Sequence, residues 1–133
     1  MSAQPGAVHL VGGGRDEDAV VPLFARFVAS AATARDSATG GPARVNALLV
    51  LEEDDDESVE RFRSALSRAG ADVAVHAILE GEEFAAAALD GADGIFVGGG
   101  LTPAYHAAFT GIAADVRGRV SEGMPYLGFS AGA

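Results

Sequence analysis

Five short apolar runs recur along this chain at intervals that helices can fill. Ala7–Val11 (AVHLV), Val45–Leu51 (VNALLVL), Asp72–Leu79, Gly94–Val97 (GIFV) and Pro125–Gly128 (PYLG) each read as a strand. Runs that are apolar on consecutive residues lack the alternation of a half-exposed sheet and suit strands buried on both faces. The segments between them are too long for hairpins, which leaves a parallel sheet with helices on both sides. The expected fold class is therefore α/β, a three-layer sandwich around a mainly parallel sheet.

The intervening segments carry helical spacing. In Asp16–Ala32 the residues Val20, Phe24, Phe27, Val28 and Ala31 share a face, and Pro22 predicts that the helix starts or bends there. Thr33–Arg44 is small, polar and rich in Gly and Pro, which marks a loop. Beyond the acidic run Glu52–Glu57, Asp54 and Glu57 fit a capping box. The helix it would open puts Val59, Phe62, Leu66 and Ala69 on one face and stops at Gly70. Glu82–Leu89 predicts a short alanine-rich helix, and Pro103 opens a helical stretch through Phe109 that continues loosely to Val120. With no repeat and no linker, residues 1–133 read as a single α/β domain.

Charge and composition exclude several classes of function. Nine arginines, no lysine and nineteen acids give a net charge of −10, and nucleic-acid binders need clustered cations. No apolar run approaches the roughly 18 residues of a membrane helix, so neither a nucleic acid nor a membrane is an expected partner. The absence of cysteine removes thiolate metal sites and cysteine nucleophiles, and the expected location is cytoplasmic. Gly12–Gly14 and Gly98–Gly100 both fail the G-x-G-x-x-G phosphate pattern, since Glu17 and Pro103 stand at its third glycine. The Glu52–Glu57 run lacks calcium-loop spacing and reads as a solvated loop and helix cap. No cofactor and no metal are expected.

Two loops at the carboxyl ends of strands could carry chemistry. Gly128-Phe129-Ser130-Ala131-Gly132 matches G-x-S-x-G directly after the fifth apolar run. In such an elbow a serine sits on a tight turn that small neighbours permit, and the next amide, here that of Ala131, faces the carbonyl under attack. An ordinary strand-to-helix turn explains a five-residue match of this kind about as well in isolation. Gly98–Gly100 follows the fourth run, where glycine lets a backbone amide approach a reacting oxygen and complete an oxyanion hole. Its plain alternative is a turn that needs positive φ. Three histidines are candidate bases. His9 and His76 lie in strands as packed or edge residues, and His106 lies in the helical stretch after Gly98–Gly100.

Together, GIFVGGGLTPAYHAAF and GMPYLGFSAGA resemble the cyanophycinase and peptidase E family of serine peptidases, and VHLVGGGRDED resembles the opening of its cyanophycinase branch. The resemblance covers essentially the whole chain. It implies a class I glutamine-amidotransferase-like, flavodoxin-like fold. It also implies Ser130 as nucleophile and oxyanion amides from Gly99 and Ala131. Substrate contacts would fall at Gly100, Leu101 and Thr102, although the family commonly has Asn or Gln just after the glycine loop, where Leu101 stands.

That family's histidine lies downstream of its serine, whereas here three residues follow Ser130. The resemblance thus implies an amino-terminal portion of a longer catalytic domain, with base and acid beyond Ala133. The implied partner is a peptide substrate, with aspartate- and arginine-containing peptides as candidates. A homodimer, or association with a carboxyl-terminal segment, is also open. Two alternatives stand beside the peptidase: an esterase of the α/β-hydrolase type using the same elbow, and a catalytically incomplete amidotransferase-like binding module.

Overall fold

The computed structural model describes residues 8–11, 17–34, 42–51, 56–79, 81–98 and 107–129. Within them the chain runs β1 (Val8–Val11), α1 (Glu17–Ala34), β2 (Arg44–Leu51), α2 (Asp56–Arg68) and β3 (Asp72–Leu79). A 3₁₀ turn (Ala86–Leu89), β4 (Gly94–Val97), α3 (Ala113–Ser121) and β5 (Tyr126–Phe129) follow. The strands form one sheet in the order β1-β5-β4-β2-β3, and every pairing is parallel.

Strand parity sorts the side chains into two cores. Val45, Ala47 and Leu49 of β2, Phe96 of β4, and Leu127 and Phe129 of β5 meet α1 and α2. Those helices bring Phe24, Phe27, Phe62 and Leu66, the residues that helical spacing placed on their inner faces. Leu48, Val50, Ile95 and Val97 point the other way and meet Phe84, Leu89, Ala108 and Ile112. Each fully buried Phe, Leu or Ile contributes roughly 1.5–3 kcal/mol before the entropy of ordering it is subtracted.

Two helices end by the same device. At α2, the N–H of Gly70 bonds Ser67 and that of Ala71 bonds Leu66, with Gly70 at φ 103°. At α3, Gly123 bonds Val120 and Met124 bonds Arg119, with Gly123 at φ 113°. Both are Schellman closures, in which a left-handed residue satisfies the last carbonyls and glycine adopts that conformation without a Cβ clash.

Local structure departs from the sequence pattern at four points. Helix α1 starts before Pro22 and runs through it; the proline is exposed, on the side away from the sheet. The segment expected as a helix over Glu82–Leu89 is helical only as the 3₁₀ turn. Its first residues are used otherwise: the Leu79 N–H donates to Glu82 Oε1 at 2.7 Å, the Glu82 N–H reaches the Leu79 carbonyl at 3.0 Å, and Gly81 lies at φ 94°. The stretch toward Val120 is helical at residues 107–109, breaks at Ile112 (φ −120°, ψ 7°) and resumes as α3. Strand β5 is shifted by one residue to Tyr126–Phe129, because Pro125 offers only its carbonyl, which accepts the Ile95 N–H at 3.0 Å.

Crossovers leave the sheet in opposite senses. From β1 and β2 the chain moves toward β3 over the face covered by α1 and α2. From β3 and β4 it returns toward β5 over the other face, where residues 84–89 and 108–112 pack. Opposite directions on opposite faces are what right-handed crossovers require. The reversal falls between the adjacent strands β4 and β2, and open parallel sheets bind ligands outside the carboxyl ends of strands at such a switch point.

Candidate active site

The carboxyl ends of β1, β5 and β4 lie level. Val11 is paired with Phe129, and Val97, one residue before Gly98, is paired with Gly128. Neighbouring strands in a sheet are about 4.8 Å apart. Gly98 is buried, and its N–H donates to the Leu48 carbonyl at 3.2 Å, so β4 is tied to β2 up to its last described residue. Strand β2 pairs onward with β3 through Leu51 and Leu79, whereas its pairing with β4 ends at Leu48 and Val97. The long pair β2–β3 thus rises beside the shorter β4–β5 pair, making a step at the switch point.

Strand β4 is fixed at its start as firmly as at its end. Arg44 and Asp93 exchange two bonds: the Arg44 N–H donates to Asp93 Oδ2 at 2.8 Å, and the Asp93 N–H donates to the Arg44 carbonyl at 2.7 Å. Asn46, 1% exposed in the middle of β2, donates from Nδ2 to the carbonyls of Ala88 (2.8 Å) and Asp90 (3.1 Å). Arg119 of α3 donates to the Leu89 carbonyl and to Asp90 Oδ1, both at 3.1 Å. A polar residue inside an otherwise apolar strand was the sequence signal for this tether, and its role is legible only once the 3₁₀ turn is placed over it.

The residues expected to do chemistry, Ser130 with Gly99, Gly100, Leu101, Thr102 and Ala131, lie outside the described residues. So do His106, Gly12–Gly14 and the acids at positions 52–55. What the structure places is the strand that delivers each loop. Ser130 is bonded to Phe129 at the end of β5, and Gly99 to Gly98 at the end of the neighbouring β4.

The two described histidines are packed as strand residues. His9 stands edge-on to Phe27, 6.0 Å between ring centroids, with Nε2 3.4 Å from Ser30 Oγ. The Ser30 hydroxyl in turn donates to the Arg26 carbonyl at 3.1 Å. Burial, and to a smaller degree the charge of Arg26, hold the His9 imidazole below its ordinary value of 6.5. His76 is half-buried on the edge strand β3.

Among the described residues no cluster of three His, Asp or Glu side chains is placed to hold a metal ion. No helix among them is long and apolar enough to cross a membrane. The described Arg68–Asp18, Arg63–Glu60 and Arg119–Asp90 pairs are largely exposed and contribute little each.

What sequence reasoning missed is the surrounding of Phe129, the variable residue of the G-x-S-x-G motif. Its ring is 5% exposed and stands 5.9 Å from Phe24 and 5.3 Å from Phe62, edge to face in both cases. It is stacked on Phe96 at 6.5 Å and 29°. Strand parity fixes the face that residue 129 points to, but the convergence of α1, α2 and β4 on it needs the fold.

Comparison with known proteins adds the family. The model of Peptidase family S51 matches residues 47–133, about two-thirds of the chain, from β2 through the serine motif. The chain belongs to peptidase family S51. Its fold is that of solved relatives assigned as peptidases. One is a protein assigned as a peptidase E from Listeria monocytogenes EGD-e, 26% identical with a TM-score of 0.64 over 97% of this chain and 60% of that one. Another is a peptidase from an acI-B1 actinobacterium, 16% identical with a TM-score of 0.66 over 100% of this chain and 57% of that one. This S51 chain therefore spans less than two-thirds of the length of either. No curated protein matches it significantly.

Proposed function

We propose that this S51 chain is the amino-terminal portion of a serine-type peptidase whose nucleophile is Ser130. The observation that carries this reading is the level, paired exit of β4 and β5, one leading into Gly98–Gly100 and the other into the G-x-S-x-G motif. A nucleophile and a second amide donor must face one carbonyl, and adjacent parallel strands deliver both loops to the same rim.

The step then balances as follows. A base takes the Ser130 hydroxyl proton while the oxygen attacks the scissile carbonyl carbon. The amides of Gly99 and Ala131 hold the resulting oxyanion, and Gly100, Leu101 and Thr102 line the approach. The C–N bond breaks as the protonated base gives its proton to the leaving amine, and water hydrolyses the acyl-serine ester. The base and its orienting acid come from sequence that follows Ala133, and no cofactor takes part. The substrate is a peptide in the cytoplasm, and a chain of net charge −10 favours arginine-containing peptides over acidic ones.

A fluorophosphonate probe applied to the natural gene product tests the central claim. It labels the wild type on the peptide containing Ser130, leaves Ser130→Ala unlabelled, and accompanies turnover of peptides rather than simple esters. An active, folded natural protein that resists labelling would overturn the serine mechanism.

A further inference from the structure

We infer that Phe62 of α2 and Phe24 of α1 are positioning residues for the nucleophile, acting through the ring of Phe129; this rests on reading Ser130 as that nucleophile. Ser130 is attached to a residue whose side chain is a buried peg. Phe129 ends β5, which lies between β1 and β4; Val11 of β1 pairs with it, whereas the pairing with β4 stops one residue earlier, at Gly128. Backbone pairing fixes the height of a strand end but leaves its tilt about the strand axis soft. A side chain clamped on one face removes that freedom.

The clamp is specific in geometry. Phe24 and Phe62 meet the Phe129 ring edge to face at interplanar angles of 78° and 79°. The same two rings also pack against Phe96, at 5.1 Å and 5.4 Å, so the cluster closes on itself across α1, α2, β4 and β5. Edge-to-face pairs favour one relative orientation of the rings, which an aliphatic contact of equal area does not specify. On the opposite face the pair Phe84–Phe109, 4.9 Å apart and tilted at 52°, gives an aromatic contact with no link to β5's last residue.

A displacement of about 1 Å at a reacting group costs on the order of 100-fold in rate, even when the altered residue is remote. Phe62→Leu and Phe24→Leu therefore slow the fluorophosphonate labelling rate constant by about tenfold or more in the natural protein. The final number of labelled sites per folded molecule stays unchanged. Each rate constant is divided by the folded fraction read from circular dichroism under the same conditions, so that a residual loss reports how the serine is held rather than a loss of folded protein. Phe84→Leu, the same substitution on the opposite face, lowers stability but leaves the rate constant per folded molecule at the wild-type value, and Phe62→Tyr, which keeps the ring, restores the wild-type rate constant. If Phe62→Leu does not fold, Phe24→Leu and Phe62→Tyr carry the same comparison. Wild-type rate constants in Phe62→Leu and Phe24→Leu would overturn the positioning role and leave the nucleophile standing. A wild-type protein never labelled at Ser130 would remove both.

Discussion

The two faces of the sheet are built from different materials. The face under α1 and α2 is aromatic and deep: Phe24, Phe27, Phe62, Phe96 and Phe129 lie there, all nearly or fully buried. Among the described residues the other face is mainly aliphatic and small, built from Leu48, Val50, Leu89, Ile95, Ala108 and Ile112 with Phe84 as its one buried aromatic ring, and α3 lies over it without one buried residue. The difference shows where positional stiffness resides. A strand whose last side chain enters a ring cluster is anchored from the side of that cluster. Phe129, next to the candidate nucleophile, points to that side.

The largest test of this asymmetry is truncation on each face. Phe24→Ala removes a fully buried ring that touches both Phe96 and Phe129 and is expected to cost roughly 3–5 kcal/mol. Leu89→Ala, also fully buried, is expected near the lower end of the 2–5 kcal/mol range, about 2–3 kcal/mol, because it removes a smaller side chain from a face with fewer rings. Denaturant midpoints at constant m-value give both numbers, and equal costs would break the comparison.

Close packing on the aromatic face predicts a second, smaller effect from adding matter. At Gly94, the first residue of β4, a Cβ would stand 3.0 Å from Phe27 Cζ and 3.1 Å from Ala31 Cβ. Phe27 is fully buried and the contact is close, so Gly94→Ala is expected to destabilise by about 1–3 kcal/mol. Thermal unfolding would show it, and an unchanged Tm would mean that the face is less tightly filled than its rings suggest.

Much of this architecture was legible in residues alone, for identifiable reasons. β3 and β4 were readable to the residue because their consecutive apolar positions are bounded by glycine and acids. The end of α2 was readable because Gly70 is the residue a left-handed cap requires. Parallel order on two helical faces followed from connection lengths. What stayed hidden depends on contacts distant in sequence. Glu82 favours a helix locally and instead closes the turn after β3. Asn46 is unexpected in a strand until the 3₁₀ turn lies over it. For the site, the two glycine-bearing loops could be named, but nothing in the sequence says that β4 and β5 are neighbours whose exits are level. The order β1-β5-β4-β2-β3 supplies that.

Gly118 offers the complementary addition on the aliphatic side. It sits inside α3, and a Cβ there meets nothing within 4 Å. Glycine in a helix interior costs roughly 0.5–1 kcal/mol relative to alanine, through the freedom it keeps in the unfolded chain. Gly118→Ala is therefore expected to stabilise by about 0.5–1 kcal/mol, where the same change at Gly94 destabilises. Opposite signs in one pair of melting curves sharpen the contrast between faces, and equal signs undo it.

Titration gives the smallest and most local comparison, since among the described residues each face holds a group whose neutral form burial favours. His9, against Phe27 on the aromatic side, has its pKa lowered from 6.5, first by burial and then by Arg26. Its unfolded form takes up a proton before its folded form does. The stability His9 contributes is thus present above pH 6.5 and lost as pH falls from there through the folded value. Tyr126, packed with the aliphatic core on the other side, has its pKa raised from 10.0 by burial. Its contribution is complete below pH 10.0 and is lost as pH rises through the folded value. Melting temperatures of the wild type and His9→Gln should converge as pH falls below 6.5, and those of the wild type and Tyr126→Phe as pH climbs past 10.0. Parallel curves at the acid end would show that His9 is protonated as freely in the folded protein as in the unfolded chain, and that its packing against Phe27 excludes no charge.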